Sequence, residues 1–122
     1  MSFKNIEISI GLIKLKSSFV CLKRIEQPYK NFIEFPGGKK KNNETAIQCL
    51  KREIKEELNI EIDKSKFIAR IKHLYGDVLI TINIFKIHRY SGKITSNENR
   101  KIILFNTKCK LEILPTHDRI LS

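Results

Sequence analysis

Between residues 45 and 60 the apolar side chains recur at three- and four-residue intervals, as Ile47, Leu50, Ile54 and Leu58. That spacing draws one stripe along an α-helix. Thr45 and Gln48 stand at the spacing of a capping box, which predicts that the helix starts near residue 45. Elsewhere the period falls to two. Ile6, Ile8 and Ile10 alternate with Glu7 and Ser9, predicting a strand over 6–16, and Ser17-Ser18 reads as the turn into a returning strand over 19–24. Residues 26–31, with Pro28, read as a loop, and 32–35 as a short extended piece, since Pro36 disfavours helix at Phe35. Gly37-Gly38 predicts a tight backbone turn.

Beyond the helix, residues 61–66 read as a polar connection, 67–75 as a strand, Gly76-Asp77 as a turn and 78–90 as a long strand. In the long strand Val78, Ile80, Ile82 and Ile84 share one face, while Leu79, Thr81, Asn83, Phe85 and Ile87 share the other. Two apolar faces predict a central strand covered on both sides. After a polar loop over 93–101 comes a last short strand over 102–105, and Thr116 or Asp118 is placed to cap a short terminal helix. The layout is α+β, a mixed sheet with one central helix, in a single domain over 1–122.

Composition adds boundaries. No apolar run approaches the length of a membrane span, and Met1-Ser2-Phe3-Lys4 lacks a signal-peptide layout. Cys21, Cys49 and Cys109 are odd in number and lie far apart, which argues against a disulfide framework or a zinc site and for reduced thiols in a cytoplasm. Cys49, inside the helix, reads as a packing residue. Twenty-four Lys and Arg against thirteen Asp and Glu give a formal charge of +11. Such a charge fits polynucleotide binding, but Lys39-Lys40-Lys41 is the only lysine run, and a general lysine bias accounts for the rest. The same positive field draws in a small polyanionic nucleotide.

The helix carries the chemistry. Glu53, Glu56 and Glu57 are related by three and four residues and crowd one stripe beside the apolar one. Each like-charge helical pair costs a few tenths of a kcal/mol or so, which asks for a compensating cation. Carboxylate oxygens at that density suit Mg²⁺, which binds through a few carboxylates together with substrate phosphates. Arg52, four residues before Glu56, is spaced to pair with it.

The whole pattern, Gly38, five residues, Glu44, seven residues, then Arg52-Glu53-Ile54-Lys55-Glu56-Glu57-Leu58-Asn59-Ile60, resembles the Nudix box. Asn59 stands where that family has glycine, and Asn is the non-glycine residue best able to take a left-handed cap. Glu34-Phe35-Pro36-Gly37-Gly38-Lys39 resembles the segment before the box in MutT-type members, which clear oxidised guanine nucleotides. The likeness implies the Nudix fold, a mixed sheet between helices (α/β/α) with the box as loop-helix-loop. It also implies hydrolysis of a nucleoside triphosphate to monophosphate and pyrophosphate with Mg²⁺, or Mn²⁺ in its place, as in nucleotide-pool sanitation, DNA replication fidelity and repair.

Carried over residue by residue, the resemblance makes Glu56, Glu57 and the Gly38 carbonyl metal ligands, and Glu53 both a ligand and the general base. Arg52 orients a glutamate of the set, Glu44 and Gly37 steady the loop, and Lys39 offsets charge on the substrate. Glu98 falls where MutT-type members carry a further metal-binding glutamate. Arg24, Glu34 and Phe35 are candidates for contacting the nucleotide, Phe35 being equally a core residue. His117 or Asp118 stands near the asparagine with which those members read the oxidised purine. An ionised Asp only accepts hydrogen bonds and neutral His offers one of each, so neither reproduces an amide. His73 and His88 have no metal-ligand spacing and read as structural.

The expected partner is therefore a small nucleotide, with no membrane, with nucleic acid as a less favoured partner, and with the chain acting as a monomer. Two alternatives stay open: another nucleotide, dinucleoside polyphosphate or RNA 5′ end as substrate, or a silent Nudix-like module that binds nucleotide or RNA. A pure binder has no need of three repelling glutamates, which weighs against the second.

Overall fold

The strand that begins at Lys4 and the one that begins at Val78 run side by side in the same direction, and the rest of the main sheet is laid against this pair. A computed structural model describes residues 4–27, 29–97 and 99–106. In chain order the elements are β1 (Lys4–Leu12), β2 (Lys14–Leu15), β3 (Ser18–Lys23), β4 (Ile33–Glu34), β5 (Gly37–Lys39), α1 (Ala46–Leu58), β6 (Glu61–Tyr75), β7 (Val78–Ser91) and β8 (Ile102–Phe105). One four-stranded sheet has the order β5-β1-β7-β6, parallel between β1 and β7 and antiparallel elsewhere. In the second sheet β3 pairs antiparallel with β2, β4 and β8. The α+β layout with a mixed sheet is as expected. The terminal helix expected near 116–118 lies outside the described residues.

The long strand over 78–90 is central, as its two apolar faces predict. Ile82 and Ile84 pack with Ile10, Cys21, Ile33, Phe35 and Phe105, whereas Phe85 and Ile87 pack with Leu50, Ile54 and Leu58 of α1. From β3, Val20 and Leu22 join the helix cluster and Cys21 joins the other, so the two cores share both sheets. Each fully buried Leu or Ile in the helix stripe stabilises the fold by roughly 1.5–3 kcal/mol. No helix among the described residues is long and apolar enough to cross a membrane.

Two segments differ from expectation. Residues 61–66, read as a connection, form the first part of β6 opposite the end of β7. Register shifts at Ile62/Lys64, Lys64/Ser65 and Phe67/Ala69 break the alternation there, so no period of two is visible in the sequence. Gly37-Gly38, read as a tight turn, instead forms β5 with Lys39 and pairs with Ile8, Ser9 and Ile10. The glycine is needed for another reason: at φ +149° a Cβ on Gly37 would stand 2.0 Å from the Ser9 carbonyl oxygen. A smaller shift moves the turn expected at Ser17-Ser18 to Lys16-Ser17, with Ser18 opening β3.

Both ends of α1 are built as the sequence predicts. Thr45 Oγ1 accepts from the Gln48 backbone N–H at 3.2 Å, and Gln48 Oε1 accepts from the Thr45 N–H at 2.8 Å. At the other end Asn59 takes the left-handed conformation, φ 59° and ψ 36°, and its N–H donates to the Lys55 carbonyl. An ordinary L-residue there carries a penalty of about 1–2 kcal/mol that glycine escapes and asparagine partly escapes. Asn59→Ala is expected to lose about 1 kcal/mol in urea unfolding, and Asn59→Gly to match or exceed the parent. An alanine variant as stable as the parent would show that the cap conformation carries no cost.

Candidate active site

Arg52, in the middle of α1, gathers the loop before the helix onto the helix face. Its Nη2 and Nε donate to the two oxygens of Glu44 at 2.7 and 3.1 Å, and Nη2 also reaches the Lys39 carbonyl at 3.0 Å. Its Nη1 donates to Glu53 at 2.8 Å and to Glu56 at 3.4 Å. The expected pairing with Glu56 is thus present, but the shorter contacts go to Glu44 and Glu53. Glu44 also accepts from the Lys41 N–H at 2.8 Å, which makes it the fastening of the loop-helix junction. The Arg52 hydrogen bonds, followed by that of Lys41, hold the Glu44 carboxyl down at about 2. Glu44 in turn raises Arg52 above its usual range.

The three clustered glutamates are placed differently. Glu53 lies against the backbone of β5: a Cβ on Gly38 would stand 2.3 Å from the Glu53 carboxyl carbon. Glycine at 38 therefore leaves the cradle in which this carboxylate rests. Glu56 keeps half of its side chain in solvent, 53% exposed. Glu57 is buried, and one oxygen accepts from the Gly37 N–H at 2.7 Å. Its other oxygen accepts from Nη1 of Arg100 at 2.9 Å.

Arg100 is a site residue that the sequence reading missed. Its Nη2 donates to Glu34 at 2.6 Å and its Nε to the Lys23 carbonyl at 3.0 Å. Arg24 closes the chain of charges by donating to the second Glu34 oxygen at 3.2 Å. As one basic residue in a polar loop, Arg100 carries no local signal, since its partners Glu57 and Glu34 are 43 and 66 residues away. The loop that bears it is tied to the end of α1 by Thr95 N–H to the Leu58 carbonyl and Asn97 N–H to the Glu57 carbonyl.

Two cavities meet at the Arg24–Glu34 pair. The larger, about 310 Å³, is walled by Ile6, Ile8, Ile10, Phe35 and Ile80, with Arg24, Glu34 and Gly37-Gly38-Lys39 along its polar side. The smaller, about 230 Å³, is lined by Arg24, Ile25, Glu26, Glu34, Glu57 and Arg100. Phe35, only 2% exposed, sits edge-on to Phe19 in the core and also borders the larger cavity. Lys39 is exposed at the rim. His73 packs its ring at a tilt against Tyr75 and lines neither cavity. Burial raises the Cys49 thiol and pushes Cys21 up to about 12, so both buried thiols are packing groups rather than nucleophiles. Glu98, His117 and Asp118 lie outside the described residues.

Among the described residues no three carboxylate, imidazole or thiol side chains are grouped as they would be around an ion. Instead Arg52 takes Glu53 and Glu56, and Arg100 takes Glu57. The donor chemistry nonetheless fits a hard divalent cation, because the set is all oxygen: three carboxylates on one helix face and the Gly38 carbonyl, which accepts from the Cys49 thiol at 3.4 Å. The guanidiniums of Arg52 and Arg100 supply compensating charge to the crowded acids.

The model of the NUDIX domain matches residues 7–110, and the chain belongs to the Nudix hydrolase family. Within the family it is similar to the 8-oxo-dGTP diphosphatase of Proteus vulgaris, with 30% identity over 100 residues, covering 80% of this chain and 89% of that protein. It is 37% identical over 98 residues to the 8-oxo-dGTP diphosphatase of Buchnera aphidicola subsp. Schizaphis graminum, covering 80% of this chain and 73% of that one. The fold also matches the crystal structure of a MutT NUDIX hydrolase from Burkholderia pseudomallei, with a TM-score of 0.84, 21% identity, and 96% and 95% of the two chains covered. That last likeness is one of fold.

The Glu44 carboxyl has its own acid signature. Its folded value near 2 lies below the ordinary 4.5, so the stability it contributes is fully present above about 4.5 and is lost as the pH falls through 2. Glu44→Gln is expected to unfold at lower urea than the parent at pH 7, and the gap should close between pH 4.5 and 2. A gap that persists unchanged to pH 2 would mean that the Glu44 charge is not what fastens the loop.

Proposed function

We propose that this chain is a Mg²⁺-dependent nucleoside triphosphate pyrophosphohydrolase, converting a nucleoside triphosphate and water to the monophosphate and pyrophosphate, with 8-oxo-dGTP as its preferred substrate. The observation that carries the reading is the seating of the Glu53 carboxylate on Gly38, on the helix face that also bears Glu56 and Glu57 and next to a cavity of nucleoside size. The resemblance to two 8-oxo-dGTP diphosphatases supports the choice of nucleotide. Removal of oxidised guanine nucleotides from the pool would serve replication fidelity.

Glu56, Glu57 and the Gly38 carbonyl would hold the ion, with Glu53 approaching it. Bound there, a divalent ion neutralises phosphate oxygens and lowers the pKa of a coordinated water. Glu53 accepts the proton of the attacking water, held in place by Arg52 Nη1. The exposed Lys39 offsets negative charge on the phosphate chain at the cavity rim. Arg24, tethered to Glu34, stands where the two cavities join and orients the nucleotide between them. Ile6, Ile8, Ile80 and Phe35 offer the base an apolar wall that excludes water.

A second reading keeps this chemistry and changes the nucleotide. Apart from Arg24, Glu34 and the backbone and side chain of 37–39, the described walls of the larger cavity are hydrocarbon, and apolar packing alone separates bases weakly.

Purified protein with Mg²⁺ is expected to turn over 8-oxo-dGTP faster than dGTP, releasing pyrophosphate; equal or absent turnover of the oxidised nucleotide on product chromatography would remove the specificity. Glu53→Gln should lower turnover by about 10²–10⁴-fold while nucleotide binding persists. Gly38→Ala should cause a comparable loss without removing any acid, because its Cβ claims the space of the Glu53 carboxylate. Near-parental rates in both variants would reassign the base.

A further inference from the structure

We propose that Arg100 acts as an internal counter-cation, occupying Glu57 when no divalent ion is bound and competing with that ion for it. The inference rests on the reading of Glu57 as a metal ligand. Three observations point to competition rather than to simple bracing. First, Glu57 is oriented without Arg100, because its other oxygen is fixed by the Gly37 N–H. Second, Glu34 has Arg24 as an independent partner, so Glu34 keeps a counter-charge whether or not Arg100 is engaged with Glu57. Third, Arg100 is only 10% exposed and Glu57 only 7%, so solvent and salt screen the pair less than they screen an exposed one.

Delivery of the arginine is tied to the helix it serves. The Arg100 N–H donates to Ser96 Oγ, and the same loop is anchored through Thr95 and Asn97 to the carbonyls of Leu58 and Glu57. Half-buried Glu34 and buried Glu57 share the Arg100 guanidinium, Glu34 having Arg24 as well, and a divalent ion seeks the same negative density. When the ion takes Glu57, Arg100 retains Glu34 and the Lys23 carbonyl. The metal affinity of the chain is then set partly by the strength of one ion pair, and a weaker pair gives a tighter site.

Mn²⁺ titration of the full chain, followed by the electron paramagnetic resonance signal of the free ion, tests this without reference to turnover. Arg100→Gln is expected to bind Mn²⁺ about tenfold tighter than the parent, the scale of one charge-assisted hydrogen bond, and Arg100→Lys, with one point charge, to fall between. The melting temperature of Arg100→Gln should be lower than the parent's without metal and should rise further on adding Mn²⁺. Equal or weaker Mn²⁺ binding by a folded Arg100→Gln would overturn the proposal, and if that variant fails to fold, Arg100→Lys decides by the same criterion. Absence of Mn²⁺ binding in the parent as well as the variants would instead overturn the metal reading of Glu57, and the competition with it.

Discussion

Acid crowding on one face of α1 is the constraint to which the surrounding structure answers. Glu53, Glu56 and Glu57 repel on a single helical turn, and Glu44 and Glu34 add two further carboxylates at its border. Arg52 and Arg100 divide these acids between them, each guanidinium also holding a backbone carbonyl on a different segment. The two ion-pair sets therefore do structural work beyond charge balance: one closes the 39–45 loop onto the helix, the other joins β3, β4 and the 95–100 loop to its last turn. Breaking a buried pair strands an uncompensated charge, which is far more costly than a surface pair is stabilising.

The backbone around the cluster follows from the same demand. β5 must pass close enough to β1 and α1 for the Gly37 N–H and the Gly38 backbone to meet Glu57 and Glu53, and side chains at either position would block that approach. Pairing of β5 with β1 satisfies the glycine backbone while holding it at the helix face. The larger cavity opens beside this strand, and the smaller one lies over Glu57 and Arg100, with Arg24–Glu34 at their junction. An apolar wall and a charged rim thus share one cavity, with a second, charged cavity adjoining it at Arg24 and Glu34.

What could be read from the sequence was whatever is encoded locally. The capping box, the helix stripe, the left-handed Asn59 and the two-faced β7 all depend on residues within a few positions of one another, and all are present. The first half of β6 was hidden because its register shifts destroy the alternation that marks a strand. β5 was hidden because two glycines carry no hydrophobic pattern, and they read as a turn when their task is close packing. Within the site, the acids and Arg52 were legible from spacing, but the preference of Arg52 for Glu44 depends on how the loop folds back. Arg100 was invisible for the same reason: only the tertiary fold brings it to Glu57 and Glu34. The residues nominated for reading the base, His117 and Asp118, and the loop acid Glu98 lie outside the described residues.

Crystals soaked in Mn²⁺ with a non-hydrolysable nucleotide, measured by anomalous scattering, address the central claim most directly. The account predicts a peak bounded by the carboxylates of Glu56 and Glu57 and the Gly38 carbonyl, with Glu53 adjacent and Arg100 withdrawn from Glu57. A peak elsewhere, or a fully occupied nucleotide with no ion at this helix face, would contradict it.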